Sequence, residues 1–228
     1  MMKRRYAPSL MLAAILVASV VTVLIAYNAS STEAGPQNPT ISNPTSSVEV
    51  VSVRPAETVG YQVVIKNVSA KSIDGYSLGY DDGQYLIGDL TGTRKQRLAS
   101  GEELTLRGIP PTSKIVIRYV VFEDNSVDGD PVAARELQER RVGIREQLRR
   151  IVELARANPG IEDLKSRIEA LPESSEDGVW VAAGMRYVKQ DALMALQQID
   201  KQNVQAGLNK LIDESNSRIA RLPQRVNH

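Results

Sequence analysis

DPVAARELQERRVGIREQLRRIVELARANPG, Asp130 to Gly160, is where the chain changes its hydrophobic period, and its reading divides the molecule in two. Asp130 is a preferred N-cap residue, and Pro131 suits the first helical position because the N–H it lacks would be unpaired there anyway. Leu137, Ile144, Leu148, Ile151 and Ala155 then recur at helical steps until Asn158-Pro159-Gly160 stops the run. The pattern predicts a helix of about 28 residues. Arg141 falls on its apolar stripe, which makes it the residue of this helix most expected to touch another helix.

The same stretch is basic. Arg135, Arg140, Arg141, Arg145, Arg149, Arg150 and Arg156 face Glu136, Glu139, Glu146 and Glu153, an excess of three positive charges. Such a helix can bind nucleic acid, anionic lipid or an acidic partner. Glu and Arg residues three and four apart also form weak ion pairs on a solvated face, which explains most of the charges without a ligand. Arg141 and Arg145 are the interaction candidates that remain.

Downstream, Ile161, Leu164, Ile168 and Leu171 define a short second helix ended by Pro172. From Val179 the apolar residues Val188, Leu196, Ile199, Val204, Leu208, Leu211, Ile219 and Leu222 predict one long helix, or two separated near Lys201 to Val204. Helices so close in sequence are expected to pack as an antiparallel bundle or hairpin over residues 130–223. Trp180, the chain's only tryptophan, opens this segment. It is either core packing or, if exposed, an interface anchor.

Upstream, over residues 48–124, the period is two. Tyr61, Val63 and Ile65 alternate with polar neighbours, as do Tyr76, Leu78 and Tyr80, and Leu104 and Leu106. Turn signals lie between them at Asp81-Asp82-Gly83, Ala99-Ser100-Gly101 and Gly108-Ile109-Pro110-Pro111. Ile115 to Phe122, IVIRYVVF, is apolar on both faces apart from Arg118 and reads as a central strand. VVIKNVSAKSIDGYSLGY (Val63 to Tyr80) with LASGEELTL (Leu98 to Leu106) resembles the immunoglobulin-like and CARDB-type β-sandwich domains of bacterial extracytoplasmic proteins. The resemblance implies a fold and no site, because such sandwiches host unrelated functions.

At the N-terminus, LMLAAILVASVVTVLIAY (Leu10 to Tyr27) carries no charge and approaches the roughly 20 residues a helix needs to cross a bilayer. Lys3, Arg4 and Arg5 precede it, so the positive-inside bias places residues 1–9 in the cytoplasm and the bulk outside. A cleaved secretory signal is the alternative, with Ala29-Ser30-Ser31 as its only passable site. Residues 28–47, rich in Ser, Thr, Asn and Pro, read as a disordered spacer. Asn28-Ala-Ser and Asn67-Val-Ser match the glycosylation sequon.

Composition removes several chemistries. Zero cysteines exclude disulfides, zinc–thiolate sites and thiol catalysis, and the one histidine is the terminal His228. With 28 basic and 27 acidic residues, the chain has no overall preference for nucleic acid. Asp124, Ser126, Asp128 and Gly129 match an EF-hand-type calcium loop at positions one, three, five and six, with Asp130 adjoining. Arg135 stands where the bidentate Glu is required, and a turn capped by Asp130 explains the same residues. Asp81 and Asp82 are adjacent in a turn, where carboxylates diverge, whereas paired acid/base chemistry needs them converging.

These readings give an α+β multi-part chain with an N-terminal transmembrane helix, an antiparallel Ig-like β-sandwich and a C-terminal antiparallel helical bundle or hairpin. The expected function is a single-pass, membrane-anchored extracytoplasmic binding or scaffolding protein of the bacterial envelope. It is expected to be no enzyme, to need no cofactor, and to reach the membrane through residues 10–27. Its helical region is expected to meet a protein partner and not nucleic acid. A sensory protein that self-associates through that region, and a secreted protein after signal cleavage, are the alternatives.

Overall fold

The structure, a computed structural model, describes residues 38–57, 59–81, 83–92, 97–157, 160–200 and 202–222. The strands are β1 (Thr40–Ser42), β2 (Val48–Pro55), β3 (Tyr61–Asn67), β4 (Ile73–Tyr80), β5 (Tyr85–Asp89), β6 (Glu103–Ile109), β7 (Lys114–Phe122) and β8 (Val127–Gly129). The helices are α1 (Pro131–Arg156), α2 (Ile161–Glu169), α3 (Val179–Gln197) and α4 (Val204–Arg221).

Alternation along β3 sends Tyr61, Val63 and Ile65 to one side, where they are buried. They meet Leu78, Ile115 and Ile117 from β4 and β7 in one apolar core between two sheets. One sheet has the order β2-β3-β6; the other runs β1-β7-β4-β5, with β8 also paired to β7. Strand β7 is central, as its two apolar faces predict, and its outward residues Tyr119 and Val121 pack against Ala133, Ala134 and Leu137 of α1. The layers are therefore sheet, sheet and helix.

Asp130 caps α1 through Oδ1, which accepts from the backbone N–H groups of Val132 and Ala133. The first half of α1 lies on the β7 sheet, and its second half enters a separate helical core with Ile144, Leu148, Ile151 and Ala155. Two glycines let α1 and α3 cross at backbone distance. A Cβ on Gly143 would collide with the Val181 carbonyl, and one on Gly184 with the Arg140 carbonyl. Gly75 does the same service where α1 meets the sheet, since a Cβ there would strike Leu137.

Several expectations are corrected. The fold is a mixed α and β unit of two sheets and four helices among the described residues. It is not a transmembrane helix followed by an Ig-like antiparallel sandwich and an independent bundle. The immunoglobulin-like sandwich is not confirmed, because β1 pairs parallel to β7 and α1 covers the outer face of that sheet. The bundle does not stand apart, because α1 is shared by the sheet and the helical core and the described residues from Pro39 on form one compact unit. The stretch 10–27 lies outside the described residues, and no helix among those described is long and apolar enough to cross a membrane. The membrane and signal-anchor expectations therefore find no support in the fold. The spacer is corrected over its last part, because Thr40–Ser42 is strand β1.

Candidate functional site

Arg141, expected to touch another helix, is committed instead to the sheet. It is fully buried and turns into the sheet, where Nη2 donates to the Asp74 carbonyl at 2.7 Å, Asp74 Oδ1 at 2.9 Å and Asp89 Oδ1 at 3.0 Å. Nε reaches Asp89 Oδ1 at 3.3 Å, while Arg97 stands 4.0 Å from the other Asp74 oxygen. Burial would raise the Asp89 carboxyl, but Arg141 and the Thr91 donors hold it below the ordinary range. At Asp74 burial prevails over Arg141 and Arg97, and the pKa is raised. The cluster ties β4, β5 and α1 together.

Arg145 is also spent internally. Its Nη1 donates to the Leu222 carbonyl at 3.1 Å and so closes the end of α4. Arg140 lies 5.1 Å from the Tyr187 ring centroid and Arg218 5.3 Å from the same centroid, in cation–π contact. Trp180 is half-buried, with its ring tilted at 54° and 6.4 Å from that of Tyr85 on β5. Arg118 lies 4.5 Å over the Tyr85 ring and 3.7 Å from Glu136, so this aromatic pair joins the sheet edge to the start of α3.

The calcium-like residues diverge. Asp124 pairs with Lys71 Nζ at 2.6 Å and accepts from Ser126, and these donors hold its carboxyl well below the usual range. Asp128 Oδ2 accepts from the backbone N–H and hydroxyl groups of both Ser46 and Ser47. Asp130 caps α1. Three carboxylates that a calcium ion would draw together are thus committed to three separate structural tasks. Asp81 Oδ2 accepts from Ser113, and Asp82 lies outside the described residues. Asn67 is fully buried and its Nδ2 donates to the carbonyls of Lys71 and Leu98, so the folded chain offers no glycan acceptor there.

What the sequence did not single out is a groove between α3 and α4. Both helices pack on α1; Gly207 of α4 admits the Ile199 side chain from the turn that follows α3, and Arg218 of α4 reaches Tyr187 and Asp191 of α3. The space left between them measures about 610 Å³. Its apolar lining includes Met194, Ala195, Ile199 and Leu211, and Asp191, Asp200, Glu214 and Lys210 stand around it. Met194 is 55% exposed, unusual for a large apolar side chain. A second hollow of about 530 Å³ adjoins across Ile199, beside Glu162 and Asp163 of α2.

Helical periodicity could have marked Met194 as lying off the buried stripe of Val188, Ala192 and Leu196. It could not have shown that α4 leaves the strip beside it open. Comparison with family models, with curated proteins and with solved structures finds no match to this chain.

Proposed function

We propose that this protein is a non-catalytic binding or scaffolding module whose helical region takes up a partner in the α3/α4 groove. The observation that carries the reading is the groove itself: a hollow of about 610 Å³ between two helices, lined by Met194, Ala195, Ile199 and Leu211 together with charged and amide side chains. That volume falls in the range of about 300–1,000 Å³ of ligand clefts. The engagement of Asp74, Asp89, Asp124, Asp128 and Asp130 in structural hydrogen bonds supports a role without chemistry. The use of Arg140, Arg141 and Arg145 inside the fold argues against α1 as a nucleic-acid surface.

The test is site-specific photo-crosslinking in cells with the full chain. A photoreactive residue at Met194 should give discrete adducts, and one at Val68, 49% exposed on the sheet side, should not. No adduct at Met194, or the same adducts at both positions, would remove the reading.

A further inference from the structure

We infer that the edge strand β6 pairs with β6 of a second copy of this chain, antiparallel about a two-fold axis at Thr105. The surface is separate from the α3/α4 groove and belongs to the sheet opposite the one that α1 packs against. Strand β6 ends the order β2-β3-β6, so among the described residues its ladder is made with β3 alone. An edge of this kind offers a row of backbone N–H and C=O groups to another strand.

The phase of that row follows from the ladder with β3. Asn67 turns both backbone groups to β6, donating to the Glu102 carbonyl at 3.0 Å and accepting from the Gly101 N–H at 2.8 Å. Bonded and non-bonded pairs then alternate, which makes Ile65↔Leu104 and Val63↔Leu106 the bonded pairs. Glu103, Thr105 and Arg107 therefore turn their backbone groups to the open side. Their side chains are exposed, whereas Leu106 is buried in the core.

That edge is self-complementary. With Thr105 on the axis, each Thr105 meets its own copy, and Glu103 of either chain lies opposite Arg107 of the other. Opposite charges across a strand pair favour the ladder, and like charges oppose it. An axis at Glu103 would set acid against acid, and one at Arg107 base against base. Charge on an edge ordinarily discourages pairing. Here the opposite signs, two residues either side of an uncharged threonine, select one register.

The neighbouring strands extend the match. Lys66 lies opposite Glu103 and Glu49 opposite Lys66, while Arg54 lies opposite Gln62 at the other end. Glu49, Glu102 and Glu103 outnumber Lys66 at the first end, and Arg54 and Arg107 outnumber Glu57 at the second. The two-fold axis sets each end against its opposite. Strand β2, the other edge of this sheet, is broken by a bulge between Val50 and Ser52 and ends in Pro55, and both features blunt an edge.

The test uses the full chain. Sedimentation velocity should show a dimer that grows with protein concentration. Glu103→Arg and Arg107→Glu should each weaken it by about tenfold, because each sets like charges together at both symmetry-related pairs. An equimolar mixture of the two variants should recover the wild-type dimer, since each then meets its opposite in the other. Circular dichroism checks that both are folded, and Glu103→Gln and Arg107→Gln, with smaller losses expected, replace either one that is not. The chain has no cysteine, so Thr105→Cys carries a single thiol. Paired Cα atoms on the axis would stand about 5.5 Å apart, within disulfide reach, and mild oxidation should join this variant into dimers. Met194→Cys, at a 55% exposed position on α3, should stay unjoined.

A strict monomer at high concentration would overturn the inference. So would charge variants that dimerise as the wild type does, or a mixture no better than its components. Oxidation that joins Met194→Cys as readily as Thr105→Cys would place the contact elsewhere, with the same result.

Discussion

Replacing Arg141 with methionine keeps an unbranched apolar stem and deletes the guanidinium with its charge. Asp74 would lose its donor at 2.9 Å and Asp89 its donors at 3.0 and 3.3 Å, while both carboxylates stay largely out of solvent. Arg97, 4.0 Å from Asp74, is too distant and too exposed to replace them. Removing one partner of a buried ion pair costs about 3–5 kcal/mol, mostly as the penalty of the charge left behind. That is a large share of the roughly 5–15 kcal/mol by which a domain is stable. With an m-value of about 2 kcal/mol/M, the urea midpoint should fall by about 2 M. The triple change Arg141→Met, Asp74→Asn and Asp89→Asn leaves no uncompensated charge and should recover a good part of the loss. Arg141→Lys should fall between, because an ammonium cannot present the planar fork that serves both carboxylates. A loss below about 1 kcal/mol for Arg141→Met, or a triple variant no more stable than the single one, would refute the assignment of Arg141 as the pin between helix and sheet.

The two acids of that cluster should respond to pH in opposite senses. Asp89, whose pKa is lowered by Arg141 and Thr91 against the effect of burial, contributes stability that is present above the unfolded carboxylate pKa and lost as pH falls through its folded value. The cost of Asp89→Asn should therefore shrink on acidification. Asp74, raised by burial, contributes stability below its unfolded pKa that is lost as pH rises through the folded value, so the cost of Asp74→Asn should shrink toward neutral pH. Urea titrations across the acid range check both slopes. Gly143→Ala and Gly184→Ala should each destabilise by at least about 1–3 kcal/mol, because the added methyl meets a backbone carbonyl that cannot rotate away. Gly160→Ala, with open space around it, should change stability by no more than about 0.5 kcal/mol by the same thermal-melt assay. Asp128→Ala should cost about 1–2 kcal/mol by releasing Ser46 and Ser47, and added calcium should leave the wild-type melting temperature unchanged.

Local periodicity made much of the secondary structure legible. The cap and apolar stripe of α1, the break between α3 and α4, and the two-faced burial of β7 are all written in residues a few positions apart. What was illegible depends on pairs distant in the chain. Arg141 stood out on an apolar stripe, but only the fold brings it to Asp74 and Asp89, 67 and 52 positions away. Strand β1 is three residues in a proline-rich segment, and its parallel pairing with β7 has no local signal. Val127–Gly129 looked like part of a calcium loop because the same Asp and Gly residues suit a turn and a short strand leading into a capped helix. The α3/α4 groove was missed for a related reason. Periodicity reports which face of each helix is buried, but not how far apart two helices stand on a third.

Hydrogen exchange on the full chain, alone and in complex with the partner captured by crosslinking at Met194, tests the functional account most directly. Docking in the groove predicts added protection at residues 191–200 of α3 and its following turn, and at 203–214 of α4, with the two sheets unchanged. Protection confined to the sheets or to the Tyr85–Trp180 edge, or none under conditions where the partner is bound, would contradict it.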